Sequence, residues 1–210
     1  MTDRPTGQQA SRPTGHLIAF EGLDQSGKQT QAERLLAACR AAGHATEFLT
    51  FPAYETAIGE EIDRALHGQR DYQPDTLQLL YIANRFEFKQ KIRSWLEAGT
   101  IVVCDRYLAS SIAYGEAQGV DAAWLTETQK ALPQPSLTIL LDMPPAVSLT
   151  RKKVARDRFE RDLPLLGRVR DSYLRQADHS PNWIRVSAER PKDDVATEVI
   201  SAVRSRLGLL

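Results

Sequence analysis

The residues whose types and spacing most clearly suit a chemical function lie in the run from Phe20 to Thr30, FEGLDQSGKQT. Gly22 and Gly27 bracket four residues and Lys28 follows, which is the spacing of a Walker A phosphate-binding loop. The glycines allow the backbone to turn successive N–H groups toward phosphate oxygens, and the lysine adds a positive charge near the β- and γ-phosphates. The predicted phosphate-binding set is Gly22, Gln25, Ser26, Gly27, Lys28, Gln29 and Thr30.

One position of this loop departs from the usual pattern. A Walker A lysine is followed by Ser or Thr, whose hydroxyl binds magnesium, whereas here Gln29 follows Lys28 and Thr30 comes next. The loop therefore predicts phosphate binding but leaves the magnesium ligand to other residues. A glycine-rich turn that binds nothing is the alternative, and the apolar run before the loop and the helical pattern after it argue against that interpretation.

Two acidic residues close apolar strands and are candidates for the magnesium ligand. Asp105 ends the run Val102–Cys104, in the form of a Walker B element, and Asp142 ends the similar run Ile139–Leu141. An acid at such a position holds magnesium directly or through water, or else caps the next helix. Asp105 is preferred because Arg106 follows it, where a guanidinium can bind phosphate oxygens bidentately, although a surface salt bridge is the alternative for that arginine.

A basic segment and a helical pair complete the candidate chemistry. Residues 151–162 carry six Lys or Arg residues interleaved with acids. This pattern favours a lid whose arginines close over phosphates and exclude water, rather than a solvated helix face. Tyr81 and Arg85 lie four residues apart on one helix face, where a ring and a guanidinium can contact a nucleotide base; core packing beside a surface charge is the alternative.

These residues need a scaffold that brings them together. Apolar runs at 17–20, 46–51, 100–104, 137–141 and 183–186 alternate with helical stretches, which include one long helix over 74–97. The pattern predicts an α/β fold, a five-stranded parallel sheet with helices on both faces, as in P-loop NTPases. Because the carboxyl ends of parallel strands share one edge, the phosphate loop, residues 51–54, residues 105–107 and Asp142 should gather there.

Length and composition narrow the class of protein. A chain of 210 residues fits one domain with a substantial core, and 27 basic against 27 acidic residues give no electrostatic sign of a nucleic-acid or membrane partner. Cys39 and Cys104 fall in a predicted helix and a predicted strand, and no signal core is present, so a cytoplasmic protein with reduced thiols is expected. Residues 1–15 are predicted to form a flexible tail, which leaves 16–210 as a single domain.

From His16 onward the chain resembles the thymidylate kinases, P-loop nucleoside monophosphate kinases that convert dTMP to dTDP with ATP. The resemblance rests on residues 20–28, Phe51-Pro52, Ala83-Asn84-Arg85, Asp105-Arg106-Tyr107 with Ser110 and Ala113-Tyr114, and the arginine-rich segment 151–162. It implies an ATP-dependent phosphotransferase that uses Mg²⁺, with Asp105 as the metal ligand. It also implies a homodimer built on helices such as 74–97.

The resemblance also implies a role for each site residue. Asp24 would lie near the 3′-hydroxyl of the acceptor, Tyr81 would stack on thymine, and Arg85 would reach the base. Ser111 would help to read the base, and Tyr114 would disfavour a ribose 2′-hydroxyl. The full dTMP-binding set implied is Asp24, Phe51, Tyr54, Tyr81, Arg85, Arg106, Ser110, Ser111 and Tyr114.

The implied catalytic set is Lys28, Asp24, Arg106 and Arg156. The family places its catalytic arginine in the phosphate loop or in the lid, and Gln25 occupies the loop position here, so the lid has to supply it. Arg156 is the first choice, with Arg151 and Arg158 as further lid residues that contact ATP. Many relatives also carry an arginine shortly after Phe-Pro, where this chain has Ala53-Tyr54.

Three other functions stand as alternatives. A deoxynucleoside kinase requires a carboxylate base after the second strand, where the first acid in this chain is Glu55. A guanine-specific switch carries an Asn-Lys-x-Asp motif, which is absent from this sequence. An inactive kinase used as a scaffold is suggested by Gln29 and by the missing arginine after Pro52.

Overall fold

A five-stranded sheet organises the chain, in the order β2-β3-β1-β4-β5, with every neighbouring pair parallel. The computed structural model describes residues 15–151 and 162–210. The strands are β1 His16–Glu21, β2 Thr46–Thr50, β3 Ile101–Asp105, β4 Leu137–Asp142 and β5 Trp183–Ser187. The predicted fold class is confirmed, and β1 lies at the centre between the two strands that end in Asp105 and Asp142.

Helices connect the strands and cover both faces of the sheet. In the described residues they are α1 Lys28–Ala41, α2 Ala57–Leu66, α3 Pro74–Glu87, α4 Lys89–Glu97, α5 Leu108–Ala117, α6 Ala122–Gln129, α7 Pro145–Arg151, α8 Leu163–Asp178 and α9 Lys192–Leu207. The single long helix predicted over 74–97 is wrong, because the chain turns at Phe88 between α3 and α4. The Phe88 ring packs edge-on against Phe51, with centroids 5.6 Å apart, which draws this turn into the core.

The core is divided by the sheet into two sides. On one side, α1 and α9 pack Leu35, Cys39 and Val199 against β1, β3 and β4. On the other side, α4, α5 and α8 cover the opposite face. Because both faces are covered, β3 and β4 are nearly continuous apolar runs, and their polar ends emerge at the carboxyl edge.

Two predicted segments fall largely outside the described residues. These are the N-terminal tail, of which Gly15 is described, and the lid, of which Arg151 and Asp162 are described. Arg156 and Arg158 lie in the part that is not described, so their roles stay predictions. Across the two described ranges, no helix is both long enough and apolar enough to cross a membrane.

Candidate active site

The phosphate loop joins the central strand β1 to α1. Gly22 has φ +136°, and a Cβ at this position would lie 2.5 Å from the carbonyl oxygen of Leu141, so only glycine lets the loop pass β4 this closely. The Lys28 ammonium donates to the carbonyl oxygens of Gly22, at 3.2 Å, and Leu23, at 2.9 Å. Burial, together with the positive charge of Arg106, lowers the pKa of Lys28. A buried ammonium inside such a loop is placed to meet phosphate oxygens.

The other predicted loop residues divide into inward and outward positions. Ser26 is buried, and its hydroxyl has no hydrogen-bond partner within the described ranges. Gln29 and Thr30 are exposed, and the Gln29 amide donates to Glu33 at 2.9 Å, one turn along α1. The side chain that replaces the usual Walker hydroxyl is therefore directed along the helix.

Arg151 brings the start of the predicted lid to this loop. Its guanidinium donates to the carbonyl oxygen of Gln25 at 3.3 Å and to that of Ala188, just after β5, at 2.9 Å. The first lid arginine thus bridges the phosphate loop and the loop that follows β5.

The structure separates the two candidate magnesium acids. Asp142 is engaged by two arginines: Arg170 donates to it at 2.7 and 3.0 Å, and Arg185 at 2.6 and 3.0 Å. Burial would raise the pKa of Asp142, but these hydrogen bonds and charges outweigh it and lower the pKa. Asp105, by contrast, has a buried Oδ1 for which the described residues supply no donor.

Asp105 therefore fits a cation better than Asp142 does. Carboxylate oxygens are ligands that Mg²⁺ prefers, and this ion is commonly held by one or two carboxylates together with substrate phosphates and waters. Among the described residues, no group of three or more His, Cys, Asp and Glu side chains could hold a metal without substrate. The donor set accordingly fits a magnesium ion that arrives with the nucleotide.

Arg106 contacts several side chains of the site, and its backbone lies in the left-handed region of conformational space, with φ +62°. Its Nη2 donates to Asp24 at 2.7 Å and to the Tyr114 hydroxyl at 3.3 Å, while Nη1 donates to the Ser110 hydroxyl at 3.2 Å. A non-glycine residue persists in this conformation when its surroundings over-determine it, and such residues cluster at functional sites.

The Asp24–Arg106 pair brings the phosphate loop to the end of β3. Burial would raise the pKa of Asp24, but the charges of Arg106 and Lys28 and the hydrogen bonds from Arg106 and Tyr114 hold it well below its usual range. The aspartate is therefore ionised at neutral pH. It lies between two cations at the junction of the loop and the adjacent cavity.

All nine residues that the family resemblance assigned to the acceptor line one cavity. Arg85 is buried in it and donates to the Ser111 hydroxyl at 2.7 Å and to the carbonyl oxygen of Tyr81 at 3.3 Å. The polar lining of the cavity thus includes Arg85 with Ser111, and Arg106 with Asp24. Its mixed apolar and polar lining is typical of small-molecule sites.

Asn84 positions the loop after β2, which forms one wall of this cavity. It is fully buried, and its Oδ1 accepts the backbone N–H of Ala53 at 2.8 Å. Its amide nitrogen reaches the carbonyl oxygen of Ala53 at 3.2 Å, the Thr56 hydroxyl at 2.9 Å and the Glu87 carboxylate at 3.0 Å. One side chain of α3 therefore fixes the loop that carries Phe51 and Tyr54.

Sequence reasoning missed three buried polar residues of the site. Gln78 lines the cavity, and its position three residues before Tyr81 on α3 would have placed it on the same helix face. Glu21 carried a signal as well, since it ends an apolar strand just as Asp105 does. Tyr173 hydrogen-bonds Arg106 from α8, and nothing in the local sequence points to a partner 67 positions away.

The family model for thymidylate kinase matches residues 20–199. The chain belongs to the thymidylate kinase family. It is 38% identical over 197 residues to the thymidylate kinase of Thermomicrobium roseum, covering 89% of this chain and 93% of the relative. It is 31% identical over 186 residues to the human thymidylate kinase, covering 88% of each.

A solved structure shows the same likeness within the family. The thymidylate kinase from Candida albicans superposes with a TM-score of 0.83 at 29% identity, covering 91% of this chain and 92% of that one. The shared fold therefore extends over most of the chain.

Proposed function

We propose that the protein transfers the γ-phosphoryl group of ATP to the phosphate of dTMP, giving dTDP and ADP. The observation that carries this proposal is the cavity beside the phosphate loop, which is lined by two hydrogen-bonded pairs, Arg85 with Ser111 and Arg106 with Asp24. A nucleoside monophosphate has a base edge and a phosphate separated by a sugar, and this arrangement offers polar groups for both.

The acceptor is held by groups of different chemistry along the cavity. Arg85 is a donor-only side chain and suits the carbonyl oxygens of thymine, while Tyr81 supplies a ring for the base. Arg106 binds the phosphate, and Asp24 accepts a hydrogen bond from the 3′-hydroxyl. Tyr114 crowds the sugar and disfavours a 2′-hydroxyl.

The transfer step needs no covalent enzyme intermediate, because the acceptor phosphate is already an anionic nucleophile. An oxygen of the dTMP phosphate bonds to the γ-phosphorus as the bond to the β,γ-bridging oxygen breaks, and ADP leaves. Lys28 and the backbone N–H groups of residues 22–30 stabilise the charge that spreads over the transferred group. Arg151 orders the nucleotide side of the loop.

Two further groups belong to this proposal. Asp105 would hold Mg²⁺ directly or through water, and the bound ion would neutralise charge on the ATP phosphates. Arg156 in the lid would act as the catalytic arginine, with Arg158 beside it on ATP. Gln25 leaves the phosphate loop without an arginine of its own, which supports a lid residue in this role.

We also propose a homodimer that works in the cytoplasm. The dimer rests on the family resemblance, in which helices such as α3 supply the partner surface. Cys39 and Cys104 are both buried and unpaired, which supports a reducing compartment. Light scattering at several protein concentrations tests the dimer, and a mass near 23.5 kDa throughout would contradict it.

An ADP-release assay with ATP and Mg²⁺ tests the function, with dTMP, dUMP, CMP, GMP, AMP and thymidine offered separately. Turnover chiefly with dTMP is the expected result. Turnover with thymidine in place of dTMP would instead assign a nucleoside kinase. ATP binding without turnover on any acceptor would point to an inactive scaffold.

A further inference from the structure

A buried hydroxyl from α8 contacts Arg106, the proposed phosphate-binding arginine, at the guanidinium nitrogen that does not bind Asp24. Tyr173 is 1% exposed, and its hydroxyl accepts a hydrogen bond from Arg106 Nη1 at 3.3 Å. The same hydroxyl lies 2.8 Å from Ser110 Oγ and donates to Glu21 Oε2 at 3.2 Å. No motif in the sequence includes this tyrosine, and the proposed mechanism does not use it.

Glu21 is the second half of this arrangement. Its carboxylate is fully buried and accepts the Ser110 hydroxyl at 2.6 Å and the backbone N–H of Tyr107 at 2.9 Å, besides the bond from Tyr173. Two hydroxyls therefore stand between a buried carboxylate and the Arg106 guanidinium. A hydroxyl that donates to a carboxylate is polarised and becomes a stronger acceptor, so Glu21 strengthens both bonds to Arg106.

The two ends of the guanidinium are held by different groups. Nη1 is bound by Ser110 and Tyr173, and Nη2 is bound by Asp24 and Tyr114. The backbone at Arg106 is in a conformation that is costly for a non-glycine residue, so contacts from other elements have to determine where the guanidinium points. Loss of a bond to Nη1 would leave fewer contacts to determine the position of the guanidinium.

We propose that Tyr173 is a positioning residue for acceptor-phosphate binding, and that it acts by holding Arg106 in place through the Glu21–Ser110 network. The inference rests on the proposed function, since it takes the phosphate of a nucleoside monophosphate as the ligand of Arg106. It assigns to α8 a part in acceptor binding, although this helix contributes no residue to the lining of the acceptor cavity.

The test compares two ligands that differ by the phosphate alone. The affinities of dTMP and thymidine are measured by calorimetry for the wild type, Tyr173→Phe and the control Tyr72→Phe. The control also removes a tyrosine hydroxyl that donates to a glutamate, Glu61 at 2.6 Å, outside the cavity. We expect Tyr173→Phe to weaken the binding of dTMP about 5- to 10-fold, the effect of losing one long hydrogen bond to a charged group. The binding of thymidine should weaken by less than about twofold. The control should leave both unchanged.

An equal loss of affinity for dTMP and thymidine would mean that Tyr173 has only a structural role, and this would overturn the proposal. No loss of affinity for either ligand would overturn it as well. If Tyr173→Phe does not fold, Glu21→Gln decides by the same ratio of affinities, because it weakens the polarisation of both hydroxyls. Failure of the proposed function has a different signature. In that case the wild type transfers no phosphoryl group to dTMP, whereas the ratio of affinities still reports on Tyr173.

Discussion

Replacement of Asn84 by alanine should loosen the acceptor cavity without touching any group that contacts substrate. Asn84 does not line the cavity, yet it anchors the loop after β2 through the backbone of Ala53 and the hydroxyl of Thr56. Thr56 also caps α2 by accepting the N–H of Gly59. The substitution therefore affects both the cavity wall and the start of the next helix.

The size of the effect follows from the hydrogen bonds that are lost. The Asn84 amide nitrogen has two protons for its three acceptors, so at most three bonds exist at once, including the one from the Ala53 N–H. At about 1 kcal/mol for each buried bond, Asn84→Ala should lower the free energy of unfolding by about 3 kcal/mol. If about half of this reappears as the cost of reordering the loop around dTMP, KM rises about tenfold.

Urea unfolding measures the change in the free energy of unfolding, and steady-state kinetics with dTMP measure the change in KM. The expected pattern is a lower unfolding free energy and a higher KM for dTMP, with kcat changed by less than about threefold. The control is Asn182→Ala, which removes one amide bond to the carbonyl oxygen of Pro135; neither residue lines the cavity, so KM should stay unchanged. An Asn84→Ala protein with wild-type KM and wild-type stability would refute the reasoning.

Three further predictions concern charged groups. Lys28→Met should lower kcat by about 10³-fold with little change in the affinity for dTMP, because the ammonium acts on the transferred group; single-turnover kinetics measure this. Arg156→Ala should cost about 10³-fold in kcat if it is the catalytic lid arginine, with Arg158→Ala costing much less in the same assay. Asp142→Asn should cost about 2 kcal/mol of unfolding free energy at pH 7, less than for a fully buried pair because Arg170 and Arg185 are 28% and 53% exposed. Denaturant unfolding between pH 3 and pH 7 measures it.

The pH dependence of the Asp142 prediction has a definite sign. The pKa of this carboxyl is lower in the folded protein than in the unfolded chain, so its contribution to stability is complete above the unfolded value of about 4 and is lost as the pH falls through the folded value. The difference between wild type and Asp142→Asn should therefore shrink below about pH 4. A difference that stayed constant down to pH 3 would contradict the pairing.

Controls for the two kinetic predictions come from the same chain. Lys130→Met removes a surface lysine that pairs with Glu127 and should leave kcat unchanged. A loss of less than tenfold for Lys28→Met would show that the ammonium is not needed for transfer. Equal rates for Arg156→Ala and the wild type would move the catalytic role to Arg151 or Arg158.

Local patterns were sufficient for the elements of the sheet. All five strands were predicted within one or two residues, because a strand covered on both faces is a short apolar run with a polar end. The break at Phe88 was not predictable in this way, because helical periodicity continues through it. At this break the Phe88 ring packs on Phe51, a contact between residues 37 positions apart.

By itself, the sequence determined the phosphate loop, the pairing of Tyr81 and Arg85 on one face of α3 and the kinase family, because spacing along one strand, loop or helix encodes such features directly. Tertiary structure added a second distinction between Asp105 and Asp142, since both end apolar strands and their local patterns differ only in the arginine that follows Asp105. Two arginines from α8 and β5 neutralise Asp142, whereas Asp105 keeps an oxygen that no described residue occupies. The contacts of Tyr173 with Glu21 and Arg106 likewise form only once α8 packs on α5. They could not be predicted, because hydrogen bonds between distant segments produce no periodic pattern in the sequence.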